Sequence, residues 1–168
     1  MTQFIHTTFG SREVLKTIQA AHLDRRLFLT VDMKDPNRFQ LIELNAQSTN
    51  LFVAGTTYEV LMQLIPDEDL RGMMQWQYLT LNDDEAQSFI RRAPAFAKLQ
   101  RQQEGLINFY LLQVPNSFDY AILTTWVTKE AADKFQPVMA ELMQRYTGSN
   151  SSKYNLRSRQ FSFATLTK

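Results

Sequence analysis

The chain has 168 residues, with 18 Lys and Arg against 17 Asp and Glu and a formal net charge of +1, and no run of one sign that would attract a phosphate backbone, so nucleic acid is excluded as a partner. Cysteine is absent, which rules out disulfides, iron-sulfur clusters, thiolate-ligated heme and cysteine nucleophiles. With 44% hydrophobic and 12% aromatic residues there is enough apolar material for a packed core, and disorder is excluded.

The opening MTQFIHTTFG lacks the basic region and apolar run of a signal peptide, and no stretch reaches the ~18 apolar residues of a membrane helix, so a soluble cytoplasmic protein is expected. Gln3 to Phe9 alternates as a strand, Gly10 and Ser11 break it, and Ser11 is placed to cap a helix with Val14, Leu15, Ile18 and Ala21 on one face. His22 falls near the end of that helix. Arg26 to Val31 and Phe39 to Leu44 read as a hairpin joined through Asp35, Pro36 and Asn37, and Leu51 to Val53 as a short third run. Thr56 and Glu59 have capping-box spacing ahead of Val60, Leu61, Leu64 and Ile65, which predicts a helix ending at Pro66.

Asp67 to Gly72 reads as a linker, and Met73 to Leu81 as a strand carrying Trp76 and Tyr78 on one face and Gln75 and Gln77 on the other. Asn82 and Glu85 repeat the capping spacing before a helix with Ala86, Phe89, Ile90 and Ala93 on its face, expected to kink or break at Pro94 and to end at Glu104 and Gly105. Leu106 to Val114 is an apolar strand ending at Pro115 and Asn116. The stretch FDYAILTTWVTKEAADKF, Phe118 to Phe135, turns from an alternating strand into an amphipathic helix through Thr128. That helix carries Phe135, Val138, Met139, Leu142 and Tyr146 and tolerates Pro137 only at a first turn or kink. Gly148 to Lys153 reads as a flexible loop and Tyr154 to Leu166 as a last strand.

Both halves approximate strand, helix, strand, strand, helix, and the second adds a final strand, the βαββαβ order of a ferredoxin-like unit. The expected class is α+β, with antiparallel sheets covered by helices on the outer face. The bare face of each sheet needs a second sheet, supplied by a homodimer partner or within the chain as a pseudo-dimer.

Four pieces, TTFGSREVLKTI from Thr7 to Ile18, YEVLMQL from Tyr58 to Leu64, the Glu104-Gly105-Leu106 helix exit and YAILTTW from Tyr120 to Trp126, give the chain its resemblance to the antibiotic-biosynthesis-monooxygenase superfamily. It resembles the longer bacterial members with an extra N-terminal half, among them heme-degrading monooxygenases and the signal-transduction protein TRAP. The resemblance implies a dimeric α+β barrel, an N-terminal half at 1–68 and a monooxygenase-like domain at 69–168, and a pocket between sheet and helices of the latter. It implies heme as ligand or substrate, or a small aromatic oxidised without a cofactor; the alternative is a non-catalytic, TRAP-like signalling or interaction protein.

Heme-degrading members use an Asn on the first strand of the unit, a Trp on the helix after the last hairpin and a His further along. These positions fall on Gln75 or Gln77, on Phe135 and on Arg145, so none of the three is retained. Arginine stays protonated and cannot donate a lone pair to iron, although Arg145 is suited to a propionate; phenylalanine loses the indole donor; glutamine still donates. Trp76, Tyr78, Asn108 and Trp126 complete the candidate ligand-binding set, each weighed against ordinary core packing. His6 and His22 read as structural, Asp83, Asp84 and Glu85 as helix-start charge, and Arg91-Arg92 and Arg157/Arg159 as solvated surface or a grip on an acidic ligand. No metal site, P-loop, dinucleotide fingerprint or nucleophile elbow is present in the pattern.

Overall fold

A computed structural model describes residues 4–66, 68–148 and 151–163. Gln3, Asp67, residues 149–150 and the end of the last expected strand at Leu166 lie outside the described residues. The elements are β1 (Phe4–Gly10), α1 (Arg12–Ala21), β2 (Leu27–Asp32), β3 (Phe39–Asn45), β4 (Thr56–Gln63), β5 (Met73–Thr80), α2 (Asp83–Leu99), β6 (Leu106–Gln113), β7 (Asp119–Trp126), α3 (Lys129–Met143), a 3-10 turn (Gln144–Tyr146), α4 (Ser151–Tyr154) and β8 (Arg157–Phe163).

The eight strands close into one antiparallel barrel in the order β1-β3-β2-β8-β5-β7-β6-β4, with β4 returning to β1. Within it, β4-β1-β3-β2 and β8-β5-β7-β6 each follow the fourth-first-third-second strand order of a ferredoxin-like sheet. The two sheets join at the β2–β8 and β4–β6 seams. The chain therefore closes the barrel on itself, and the second sheet required by the bare strand faces comes from its own other half.

Period-two alternation decides what each strand contributes. On β5, Met74, Trp76 and Tyr78 turn into the barrel, while Met73 and Leu79 face the helices. On β6 and β7, Tyr110, Leu112, Ala121 and Leu123 point inward, whereas Phe109, Leu111, Ile122 and Trp126 point out. The outer layer is built by α2 and α3, which bury Phe89, Ala93 and Ala97 and Phe135, Met139 and Leu142 against those strands. A smaller cluster puts Leu15 of α1 on Leu27, Leu29 and Leu41.

Helix starts match the sequence signals. Ser11 Oγ accepts from Val14 N at 3.3 Å, Asn82 Oδ1 from Glu85 N at 2.8 Å, and Thr128 Oγ1 from Ala131 N at 3.1 Å. Each satisfies an otherwise orphaned first-turn donor.

Five expectations are corrected. Thr56 to Ile65 does not form a helix: Thr56–Gln63 is β4, paired with β1 and β6. A bulge between Val60 and Met62 sends both Leu61 and Met62 to the outer cluster, where Leu64 and Ile65 also pack, so the spacing Leu61, Leu64, Ile65 imitates a helical stripe. Pairing on both edges outweighs the local Thr-x-x-Glu signal. Leu51 to Val53 is loop. Pro94 does not break α2, and Pro137 lies in the middle of α3 and not in its first turn, each flanked by apolar residues buried before and after it. Helix α2 ends at Leu99 with Gln100 as its cap, ahead of Glu104 and Gly105. Lys153 and Tyr154, expected in a loop and a strand, lie in α4. Gly105 (φ +81°) and Gly72 (φ +74°) turn the chain where a Cβ would collide with Ala131 and with the Trp126 carbonyl, respectively.

Candidate functional site

The outward face of β5 carries glutamines where its neighbours are apolar. Gln75 is 3% and Gln77 7% exposed, and a buried amide must be paired. Gln75 finds partners from two other elements: Gln160, opposite it on β8, donates Nε2 to Gln75 Oε1 at 2.8 Å, and Gln136 of α3 donates Nε2 to the same oxygen at 3.3 Å. The remaining donors are also engaged, Gln136 Nε2 with the Ala132 carbonyl (3.3 Å) and Gln160 Nε2 with Asp133 Oδ1 (3.2 Å).

This amide junction floors an open pocket of about 290 Å³ lined by Lys34, Gln75, Lys129, Asp133, Gln136, Ser158, Arg159 and Gln160. Lys129 Nζ donates to Asp133 Oδ2 at 2.5 Å. That bond first, and the Gln160 bond second, hold the Asp133 carboxyl below the usual carboxylate range. Arg159 pairs with the buried Asp32 at 3.5 Å. Lys34 is exposed at the rim. The pocket thus offers a rigid glutamine floor, a cationic rim and one carboxylate that is a weak base.

The other sequence-derived candidates are distributed over separate environments. Gln77 is buried on the same strand face and does not line the pocket. Phe135, the residue before Gln136, turns into an aromatic layer with Trp126 at 4.9 Å and Phe96 at 6.1 Å between centroids. Trp126 donates Nε1 to Thr124 Oγ1 at 2.8 Å. Trp76 and Tyr78 stack inside the barrel, on the opposite side of the sheet from Gln75. Asn108 is a clip: Oδ1 accepts from Ile65 N (2.8 Å) and Phe109 N (2.9 Å), and Nδ2 donates to the Ile65 carbonyl (2.9 Å). Arg145 sits exposed on the 3-10 turn. Of this set, Gln75 alone lines this pocket.

Gln136, Gln160, Asp133, Lys129 and Lys34 were not singled out from the sequence. A register for β8 against β5 would have found Gln160, and helical neighbourhood to Phe135 would have pointed to Gln136.

The donors between sheet and helices do not fit an axially ligated heme. The two histidines lie within the first 22 residues. His6 is fully buried with Nδ1 2.9 Å from Thr57 Oγ1 and Nε2 2.9 Å from the Gln47 carbonyl, and His22 is the C-cap of α1. Tyr146, one of three phenols in this layer with Tyr120 and Tyr154, accepts from Arg92 Nη2 at 2.7 Å and is pushed up in pKa by burial. Among the described residues no imidazole or thiolate lies in this layer. Among the described residues no group of three or more His, Cys, Asp or Glu is arranged to hold a metal ion, and no helix is long and apolar enough to cross a membrane.

Comparison with known proteins places this geometry. Residues 73–137, from β5 to the middle of α3, match the sequence model of the family described as antibiotic biosynthesis monooxygenase. No curated protein matches the chain. Among solved structures, an uncharacterized ferredoxin-fold protein related to antibiotic biosynthesis monooxygenases from Listeria monocytogenes is 17% identical, with 99% of this chain and 97% of that one covered at a TM-score of 0.80. A major regulator of staphylococcal pathogenesis is 15% identical over 97% of this chain and 100% of its own, TM-score 0.79. A heme-degrading enzyme from Listeria monocytogenes is 16% identical over 96% and 100%, TM-score 0.74. At these identities the likeness is one of fold.

Proposed function

For a chain that carries an antibiotic-biosynthesis-monooxygenase domain over residues 73–137, we propose a monooxygenase-like protein that binds a small, acidic aromatic at the Gln75 pocket and oxidises it without heme. Residues 69–168 carry the pocket, and 1–68 complete the barrel and lend Lys34 to its rim. The observation that carries this reading is the convergence of Gln75, Gln136 and Gln160 from three elements on the floor of an open pocket.

The side chains define what the pocket can do. Asp133 is held ionised by Lys129 and Gln160 and is a poor proton acceptor, so the substrate must be acidic enough to ionise in water before or on binding. Lys34 at the rim favours the resulting enolate or phenolate, and the glutamine carbonyls orient its hydroxyl groups. Such a carbanion supplies the electrons itself: a CH2 becomes a carbonyl, one atom of dioxygen enters the product and the other leaves as water. Gln77, Phe135 and Trp126 support the pocket from the packed layer, and Arg145 stays at the surface.

The test is oxygen uptake with a panel of acidic polyphenols and anthrones, for the parent and Gln75→Leu. Uptake that depends on protein and falls by about tenfold or more in the variant supports the proposal, since removal of a preorganised polar group costs rates of that order. No uptake with any member, or hemin titration giving a ligated Soret band, overturns it. A second, non-catalytic reading is favoured by one observation: beside Phe135 the space between sheet and helices is filled by Trp126, Phe96 and Met139. It predicts that the same panel leaves the thermal midpoint unchanged.

A further inference from the structure

One mouth of the barrel carries a second polar centre, on the opposite side of the sheet from Gln75. It is formed by the C-terminal ends of β1, β2 and β5 and the N-terminal ends of β3 and β8. Arg38 lies over the Phe9 ring with Cζ 4.5 Å from its centroid, and Phe9 contacts Phe161 at 6.2 Å. Arg157, opposite Tyr78 in the strand register, holds its Cζ 5.3 Å over the Tyr78 ring. Tyr78 stacks on Trp76 at 5.6 Å with 4° between planes, and Tyr58 tilts against Trp76 at 5.7 Å. Arg157 lies over the Tyr78 ring, and Arg38 and Arg159 also act electrostatically on the Tyr78 hydroxyl, so three cations lie on this side of the mouth.

Two kinds of surplus meet there. The first is charge: Asp32 pairs with Arg159, and Asp119 accepts from Thr80 Oγ1 at 2.7 Å, but among the described residues no carboxylate pairs with Arg38 or Arg157. The second is unpaired polarity. Arg38 Nε, Gln40 Oε1 and Trp76 Nε1 are buried without a hydrogen-bond partner, and Gln40 and Trp76 are 1% and 0% exposed. Gln40 pairs in register with Phe9, and Trp76 with Arg159, so both belong to the same end of the interior. A buried donor or acceptor left unmet is costly, and two of these three are donors. At this end the Arg38–Phe9 pair reaches the surface, Phe9 being 43% exposed and Arg38 half-buried, and side chains at a surface rotate on fast timescales.

We propose that this mouth binds the oxyanion of a small molecule, a carboxylate or a phosphate, with Arg38 and Arg157 taking its charge and Trp76 Nε1–H donating to one oxygen. Gln40 Oε1 accepts from a hydroxyl of the same molecule, and the Phe9 and Tyr78 rings flank its body. The guanidinium forks match the planar, divergent lone pairs of such a group.

The chain has two tryptophans, so the indole N–H region of a nitrogen-15 spectrum contains one reporter inside this mouth and one, Trp126, bonded to Thr124 in the helix layer. Sodium benzoate and inorganic phosphate are titrated separately at ionic strength matched with chloride. The Trp76 signal is expected to move saturably with at least one of them while Trp126 stays fixed; the anion that moves it tells carboxylate from phosphate recognition. Arg157→Gln should weaken that binding by about tenfold or more, the loss of a charge-assisted contact, as should Arg38→Gln. Arg157 is exposed, so its variant keeps the fold and decides the matter alone if the Arg38 variant does not. A Trp76 signal unmoved by both anions to tens of millimolar, or an Arg157→Gln affinity equal to the parent, overturns the proposal and leaves the orphaned atoms to bound water.

Discussion

The two halves of the barrel share a strand order and differ in what covers them. The second half lays α2 and α3 over β5, β6 and β7 and fills the gap with Phe89, Phe96, Phe109, Trp126 and Phe135. The first half has α1 alone, and where the second half places α3, the loop between β3 and β4 crosses the sheet. That loop is pinned by polar contacts near both ends, His6 Nε2 to the Gln47 carbonyl at 2.9 Å and Thr8 Oγ1 to the Ala54 carbonyl at 2.6 Å. A helix brings an apolar stripe plus side chains free to build a pocket edge, as Gln136 and Asp133 do; a pinned loop spends its polar groups on staying in place. The pocket therefore lies under the helix-covered sheet.

This contrast predicts unequal sensitivity. Phe135→Ala removes a ring packed on Trp126 and Phe96 and should cost about 3–5 kcal/mol, measured as a shift in the denaturant midpoint at constant slope; a loss under about 1 kcal/mol would mean the layer is loosely packed. The interior shared by both halves responds to alkali instead. Burial pushes Tyr58 of β4 and Tyr110 of β6 up from 10.0 to about 12, so the folded state holds these protons more tightly than the unfolded chain. Their stabilisation is complete below pH 10 and is lost as pH rises from about 10 to about 12, at roughly 2–3 kcal/mol for each tyrosine. Tyr58→Phe should flatten the decline in that window; an unchanged curve would place the titration elsewhere. His6→Ala should cost about 1–3 kcal/mol, because the Gln47 carbonyl and Thr57 hydroxyl lose their partner. Limited proteolysis should then cut first between Asn45 and Thr56, and cleavage starting in α2 would contradict a loop held by His6.

The second half was the more legible in sequence, and the reason is local. Asn82 and Thr128 announce their helices by side chains that accept from the backbone three residues on, β5 and β7 alternate, and β6 is an apolar run bounded by turn residues. In the first half Thr56 and Glu59 use the same vocabulary inside a strand, and only pairing with β1 and β6, invisible locally, decides against a helix. The pocket shows the same divide. Gln75 was recognisable as an odd residue on its strand, but its partners lie 61 and 85 residues away, and the family likeness directed attention to Phe135 and Arg145, which face the core and solvent. Arg157 and Arg159 read in sequence as solvated surface or a grip on an acidic ligand, and the strand register sets them opposite Tyr78 and Trp76.

Closure of the barrel within one chain has a stoichiometric consequence. In an assembly of two identical sheets, symmetry would duplicate every binding centre and allow one occupied copy to influence the other. Here the halves have diverged, so each centre occurs once per molecule, and saturation of each should follow a simple hyperbola with one equivalent bound there.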